Sequence, residues 1–426
     1  MANNITHLYY GLETVKNSSE EIKEIVKGDE DAFIFGTMGP DFLFGLRELG
    51  LKEKKLPNLM HALKHYELFD ATAEYLRENY DKTLMSYMLG FLTHYIIDHH
   101  VHAYVGYFCE NELVKHMPYE YSKFTHNIIE LAGDEYVLNN FMGYENSNDY
   151  KFHKALRMRC STAKKVGKLF ENVISKVYGC TYSSFNGRLS HFVTRATFWM
   201  TRDKNGKKMK LVRFLEKAFG LNKQMAALMR PAPGYGEIDY MNFEHKPWRA
   251  VRNREETVDL DYIELLDVAV KTGSEIYFPI YVAAVRDGVK LDREFFRINF
   301  EGVDYAYIYE IKNGLKSPAV VAYQRVEKPE PIEEETVEEQ VEELEDVSDD
   351  ESIPAEDVAE EVEDLSDDEF IIAEDMVEEA GDLDVDESVI TEEQAPLVEE
   401  TEAHNEEIIA KEAAVDTNSK EPDDAA

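Results

Sequence analysis

The sequence has little cysteine and lacks any long apolar run. Its three cysteines, Cys109, Cys160 and Cys180, are an odd, sparse set without the spacing of a metal finger, which argues against a disulfide framework. No stretch approaches the length of uninterrupted apolar sequence that spans a bilayer. The first residues show no basic segment followed by an apolar run, so we expect no signal peptide. These absences predict a soluble, cytoplasmic chain without a transmembrane segment.

Net charge is also missing from most of the chain. The 426 residues carry a formal charge of −40. Residues 327–426 hold 43 acidic side chains against three lysines, which leaves 43 acidic and 43 basic side chains in residues 1–326. A neutral body gives no support to nucleic-acid binding steered by net positive charge.

The pattern of apolar residues up to about residue 290 is helical. Apolar side chains recur three and four residues apart, which predicts helices over 60–75, 83–105, 122–139, 153–177, 190–201, 210–228 and 261–286. Strand-like alternation is confined to 305–311 and 319–324. The sequence therefore predicts an all-α multi-helix bundle over 1–300, followed by a short C-terminal extension over 301–326.

Residues 327–426 contain an internal acidic repeat. The segment 345–351 returns as 363–369, and 355–357 returns as 373–375, each eighteen residues later. The apolar content is too low to offset the entropy of ordering, so we predict a disordered acidic tail over 327–426. Such a tail acts as a solvating or interaction segment. Its partner would be a basic protein or the chain's own basic segment 202–217, which could also meet an anionic membrane surface.

Histidines concentrate in one part of the chain. Eight of the thirteen lie between residues 61 and 126. His94, Asp98 and His102 follow one another at four-residue steps on an apolar helix and so share one face. The four-residue step returns in the pairs His61/His65 and His126/Glu130. Two further polar residues occur upstream. Asp41 directly follows Gly39-Pro40, and His7 lies on a first predicted helix marked by Leu8, Leu12 and Val15 at helical spacing.

Imidazole nitrogens and carboxylate oxygens are ligands of zinc, and a polar cluster inside a helix bundle is a common way to build a multi-metal site. A buried aspartate between two histidines would be costly without a cation. A single histidine pair at this spacing is more often a satisfied core or surface pair. That interpretation applies to His65, His99, His100 and His116. The choice of ligand among His99, His100 and His102 is open, and helical phase favours His102. Taken together, the residues predict a multinuclear metal site inside the bundle.

The order of these residues resembles the zinc-dependent phospholipase C family, over roughly residues 1–290. The residues that carry the resemblance are His7, Gly39-Pro40-Asp41, His61, His94, Asp98, His102, His126 and Glu130. The family's secreted members hold three zinc ions in an all-α bundle. The resemblance therefore implies the same fold and bound Zn²⁺ here.

The resemblance also implies a ligand set. One zinc would be bound by Asp41, His61, His94 and Asp98, and a second by His102, His126 and Glu130. His7 would contribute to a third ion, with Asp98 as a bridge. This chain departs from the secreted members in two ways. It lacks the N-terminal Trp that completes their third site, so we expect two zinc ions. Its step from Asp98 to His102 is also shorter.

The resemblance implies a hydrolase of phosphoester bonds, with phospholipid as one substrate class and Asp41 as a general base. Two alternatives stay open. The chain could be a metal-stabilised scaffold without catalysis that acts through its acidic tail. It could also be a phosphodiesterase similar to the single-strand-specific nucleases, although their last ligand is an aspartate where this chain has Glu130.

Overall fold

The computed structural model describes residues 4–51, 53–113, 116, 124–219, 226–232, 234–249, 257–300 and 302. The predicted acidic tail over 327–426 lies outside these residues, as do the two strand-like segments and nearly all of the extension over 301–326. These predictions remain expectations, as does the predicted domain boundary at residue 300.

The described residues fold as helices with one small antiparallel ribbon, so the all-α prediction is confirmed. The first seven helices are α1 Asn4–Lys16, α2 Glu20–Lys27, α3 Glu30–Gly36, α4 Phe44–Glu48, α5 Leu56–Ala62, α6 His65–Glu78 and α7 Lys82–Phe108. The later seven are α8 Thr125–Asn140, α9 Phe152–Ala155, α10 Cys160–Tyr178, α11 Ser184–Thr201, α12 Lys207–Phe219, α13 Tyr262–Thr272 and α14 Phe278–Asp287. Strands β1 Trp248–Arg249 and β2 Thr257–Val258 pair with Trp248 opposite Val258.

Helix α7 is the central helix of the bundle. Asp81 begins it by accepting a hydrogen bond from the Leu84 backbone N–H at 3.1 Å. The helix is buried along nearly its whole length, which fits its apolar sequence on every face. α3 crosses it at a contact between two glycines. A Cβ on Gly36 would lie 2.2 Å from the Tyr87 carbonyl oxygen, and one on Gly90 would lie 2.1 Å from that of Phe33. The two backbones therefore touch.

The helix predicted over 60–75 is broken in the structure. Lys64 takes a left-handed conformation with φ 64°, so α5 ends at Ala62 and α6 begins at His65. The Lys64 ammonium donates to the Val177 carbonyl oxygen at 2.7 Å, which helps to hold this conformation. His61 and His65 consequently do not share one helix face, contrary to the four-residue pattern.

The helix predicted over 153–177 is also broken, between α9 and α10. Side chains of α11 bind carbonyl groups at the break. The ring Nε2–H of His191 donates to the Leu156 carbonyl oxygen at 3.0 Å, and the Arg195 Nε–H donates to that of His153 at 3.0 Å. These contacts satisfy acceptors that a continuous helix would have used.

The helix predicted over 261–286 continues from α13 to α14 through a π-helical turn over Gly273–Tyr277. Within the part of the chain that the structure describes, no helix is long and apolar enough to cross a membrane.

Candidate metal centre

Five elements bring eight polar side chains to one place beside α7. Helix α7 supplies His94, Asp98 and His102, and α8 supplies His126 and Glu130. The other three come from α1, from the 3₁₀ turn Asp41–Leu43 and from α5, as His7, Asp41 and His61. All eight residues predicted from the sequence thus lie in one cluster, which contains three groups of donor atoms.

The turn that carries Asp41 passes directly over His94. Gly39 has φ 51°, and a Cβ at this position would lie 2.3 Å from the His94 Cδ2 atom. Only glycine has both the backbone freedom and the lack of a side chain that this approach requires. Beyond the turn, Asp41 Oδ1 lies 3.0 Å from His61 Nε2 and 4.0 Å from His94 Nε2.

Asp98 lies at the middle of the cluster and is 1% exposed. Its Oδ2 atom is 3.1 Å from His94 Nε2. Its Oδ1 atom is 3.0 Å from His7 Nε2 and 3.5 Å from His102 Nε2. The two oxygens thus face different histidines, which is the arrangement of a bridging carboxylate.

Glu130 organises the far end of the cluster. Its Oε1 atom lies 3.2 Å from His102 Nε2 and 3.0 Å from His126 Nε2. The side chain of His126 is 51% exposed, whereas that of Glu130 is 8% exposed. This end of the cluster is therefore the one open to solvent.

Three of the histidine rings are held from behind by backbone carbonyls. The Nδ1–H of His94 donates to the Thr37 carbonyl oxygen at 2.9 Å, that of His61 to Pro57 at 2.7 Å and that of His102 to Phe300 at 2.6 Å. A carbonyl oxygen only accepts, so each Nδ1 carries the hydrogen. In the neutral rings, each Nε2 then presents a lone pair to the carboxylates. Outer contacts of this kind are typical of histidines that bind metals.

The donor atoms fit zinc. Ligand atoms at 2.0–2.1 Å from a tetrahedral zinc are about 3.4 Å apart, close to the 3.0–3.5 Å separations around Asp98 and Glu130. The buried His94 Nε2 and Asp98 Oδ1 atoms have no hydrogen-bond partner among the described residues. Their short contacts therefore lie off the direction of a hydrogen bond. A close nitrogen–oxygen approach without a hydrogen bond is the geometry that two ligands of one cation would have.

The pKa values of Asp98 and His102 also indicate that the carboxylates of the cluster stabilise nearby positive charge. Burial raises the pKa of Asp98, but the charges of His102, His94 and His7 outweigh it and hold this pKa well below its ordinary value. Burial lowers the pKa of His102, while Asp98 and Glu130 outweigh burial and raise it to about 10. The cluster thus stabilises cations, and protons and metal ions compete for the same atoms.

Other histidines of the sequence cluster lie elsewhere. The ring of His65 is buried and donates from Nε2 to the Met60 carbonyl oxygen at 2.8 Å, and burial lowers its pKa to about 3. His99 and His100 each donate from Nδ1 to the carbonyl oxygen four residues earlier. Of the three histidines between which the sequence left the choice open, the structure places His102 in the cluster. His116 is exposed.

Sequence reasoning missed Phe300. Besides its carbonyl contact with His102, its ring centroid lies 5.2 Å from that of His61 and 5.5 Å from that of His94. Phe300 is fully buried and closes the back of the site. Its position 198 residues from His102 and its ordinary side chain leave no signal in the sequence.

A fourth group of possible ligands lies outside the cluster, at His245, Asp261 and Glu264. Asp261 and Glu264 form the capping box of α13, in which each carboxylate accepts from the other residue's backbone N–H. The capping box explains their positions without a metal ion.

A comparison with protein families gives an independent observation. Residues 6–184 match the family model described as zinc dependent phospholipase C. Over this segment the chain is similar to the zinc-dependent phospholipase C family. The segment contains all eight residues of the cluster, and the family supports a zinc-dependent phosphoesterase type of function, in which a hydrolase acts on phosphoester bonds. Neither the curated proteins nor the solved structures contain a match to the chain.

Proposed function

We propose that this protein is a zinc-dependent phosphoester hydrolase whose substrates include phospholipids. The observation that carries the proposal is the geometry of the cluster. Histidine Nε2 atoms converge on the carboxylates of Asp41, Asp98 and Glu130, and at the centre His94 Nε2 and Asp98 Oδ1 have no hydrogen-bond partner among the described residues. The family of residues 6–184 supports the same chemistry.

Two complete groups of ligands support two zinc ions. The first consists of Asp41, His61, His94 and Asp98, and the second of His102, His126 and Glu130. Asp98 belongs to the first group through Oδ2, 3.1 Å from His94 Nε2. Its Oδ1, 3.5 Å from His102 Nε2, reaches toward the second.

A third ion would have fewer ligands. His7 Nε2 and Asp98 Oδ1 lie 3.0 Å apart, and His94 lies close enough to join them. The single Nε2 of His94 can serve only one ion, and it belongs to the first group. We therefore assign the pair His7 and Asp98 to a weaker third site.

When bound, the zinc ions would polarise the phosphoryl group and lower the pKa of water. The chain's own residues would orient the substrate and accept the proton. Asp41 is suited to accept a proton, because its carboxyl is 13% exposed while Asp98 is buried. Burial raises the pKa of Asp41, but the His61 contact and the charge of His94 outweigh it, so Asp41 is ionised at neutral pH.

The test compares two histidines of α7 that differ in position. In His102→Gln, an imidazole of the cluster is removed; in His100→Gln, a neighbour outside it is removed. We expect His102→Gln to lose zinc, measured by elemental analysis, and hydrolysis of phospholipid and of a chromogenic phosphodiester. His100→Gln should keep both.

Other outcomes would contradict parts of the proposal. Bound zinc without turnover on any phosphoester would indicate a scaffold. Faster turnover of single-stranded nucleic acid than of phospholipid would indicate a nuclease-like enzyme. Unchanged zinc content in His102→Gln would overturn the ligand assignment.

A further inference from the structure

Helix α12, Lys207–Phe219, carries large apolar side chains on its outer surface. Leu211, Phe214 and Leu215 are 48%, 66% and 40% exposed. Their spacing of three and four residues places them on one helix face. A phenylalanine that is two-thirds exposed protrudes from the protein, so this face is a ridge and not a groove. On the inner side of the helix, Glu216 is buried and Met209 and Val212 are half-buried.

Cations border this ridge. Lys210, Arg213 and Lys217 are exposed and share a helix face next to the apolar one, since they are three and four residues apart. None of the three forms an ion pair with a described residue. The only acid of the helix is Glu216, whose Oε1 atom accepts from the Ala226 N–H at 3.3 Å. The exposed surface of α12 is therefore apolar and cationic only.

A tryptophan lies beside the helix. The ammonium of Lys208 is 4.8 Å from the centre of the Trp199 ring on α11. Trp199 is half-buried, whereas Trp248, the other tryptophan of the chain, is 3% exposed. On the same helix as Trp199, Met200 is 49% exposed. The apolar surface thus extends from α12 onto the end of α11.

We propose that α12 is an interfacial helix that binds the surface of an anionic phospholipid bilayer. A short helix with phenylalanine and leucine on one face, and lysine and arginine beside them, lies in the plane of such an interface. Each cation near an anionic surface strengthens binding, and the protruding phenylalanine enters the boundary between headgroups and acyl chains. The proposal concerns binding alone and does not depend on hydrolysis.

The acidic residues 327–426 are the competing occupant of this surface. Their charge complements Lys210, Arg213 and Lys217, but they contain a single aromatic residue, Phe370. A peptide that binds an exposed apolar side chain must supply a groove to receive it, as helix-binding partners do. A bilayer accepts a ridge without a preformed groove, so the exposure of Phe214 favours lipid.

The experiment measures sedimentation of the full chain with vesicles. Vesicles of phosphatidylcholine with phosphatidylserine are compared with vesicles of phosphatidylcholine alone. We expect binding to the anionic vesicles, weakened by salt. The double variant Arg213→Glu with Lys217→Glu should weaken it by about tenfold or more. The matched control is Lys164→Glu with Lys168→Glu on α10, where two exposed lysines are also four residues apart.

Phe214→Ser tests the apolar contribution to vesicle binding. The control is Tyr80→Ser, at another exposed aromatic residue, whose exposure is 58%. Trp199 serves as a depth reporter. Spin-labelled lipids should quench the fluorescence of the bound protein, and Trp199→Phe should remove this quenching because Trp248 is buried.

Equal binding to both vesicle types would overturn the proposal. So would an equal loss of vesicle binding in the α10 control variant and in the α12 double variant. A full chain that does not bind vesicles, but in which α12 cross-links to residues 327–426, would assign the surface to the acidic segment. Because no step requires turnover, an inactive protein that passes these tests would contradict the proposed function alone.

Discussion

The Nδ1–H of His102 donates a hydrogen bond of 2.6 Å to the carbonyl oxygen of Phe300, a residue 198 positions later in the chain. The same phenylalanine packs its ring against His61 and His94. Phe300, near the end of the described residues, therefore contacts histidines of both proposed zinc groups. It fixes the ring orientation of His102 through its backbone, and it limits the space of the other two through its side chain.

We predict that Phe300→Leu lowers zinc affinity by up to about tenfold, because the rings of His61 and His94 lose the packing of Phe300, while the backbone carbonyl contact with His102 remains. Phe296→Leu is the matched control. Phe296 is also buried, but its ring packs against Phe69, Tyr95 and Tyr277. Both variants should lose stability, by about 1 kcal/mol or more. Competition with a zinc-sensitive chelator measures the affinities, and an equal loss in both variants would contradict a role for Phe300 at the site.

A second prediction concerns the turn over His94. Gly39 and Gly50 both have positive φ, 51° and 65°. A Cβ on Gly39 would meet His94 at 2.3 Å, whereas a Cβ on Gly50 has no atom within 4 Å. Gly39→Ala and Gly50→Ala should therefore share a backbone strain of about 1 kcal/mol. Only Gly39→Ala should also lower zinc content, because His94 must move. Elemental analysis and thermal unfolding of both variants check this, and full zinc content in Gly39→Ala would contradict the close approach.

The sequence predicts most features that depend on residue spacing within one helix. The positions of His94, Asp98 and His102 follow from the helical repeat of α7, and α7 itself follows from the dense apolar residues after Asp81. Local rules also predict that His126 and Glu130 share a face of α8, and the structure places their side chains 3.0 Å apart. Residue spacing alone therefore predicts which of these side chains share a helix face.

Contacts that depend on tertiary packing could not be predicted from the sequence. Nothing near Lys64 predicts its left-handed conformation, because the Val177 carbonyl that binds its ammonium is 113 residues away. The carbonyls that hold the rings belong to residues with unremarkable side chains, such as Thr37 and Phe300. Every residue has a carbonyl group, so its role as an acceptor leaves no compositional signal.

A third prediction tests whether the two ligand groups bind separate ions. His61 belongs to the first group and His126 to the second. Each of His61→Ala and His126→Ala should lose one zinc ion, and the double variant should lose both. Equilibrium dialysis at limiting zinc measures the number of ions per chain. Loss of both ions in either single variant would contradict separate groups and would indicate one cooperative cluster, coupled through Asp98.

The last prediction concerns acid sensitivity away from the proposed zinc site. His191 on α11 is buried, and its ring lies 4.5 Å from that of Phe35. Burial, assisted by the charge of Arg195, lowers the pKa of His191 from 6.5 to about 3. The unfolded chain therefore takes up a proton on this ring below pH 6.5, while the folded protein does not until pH 3. Stability is fully present above pH 6.5 and falls as the pH decreases toward 3.

Between pH 6.5 and pH 5 this single ring should cost about 2 kcal/mol of unfolding free energy, since each pKa unit corresponds to about 1.4 kcal/mol. His191→Gln keeps a donor for the Leu156 carbonyl but cannot titrate. Its loss of stability over this range should be smaller than that of the original protein by about that amount. Denaturant unfolding at the two pH values measures the difference, and His116→Gln, at an exposed position, controls for the loss of an imidazole. If His191→Gln and the original protein lost stability in parallel, the ring would have to be protonated in the fold, in conflict with its burial against Phe35 and the nearby charge of Arg195.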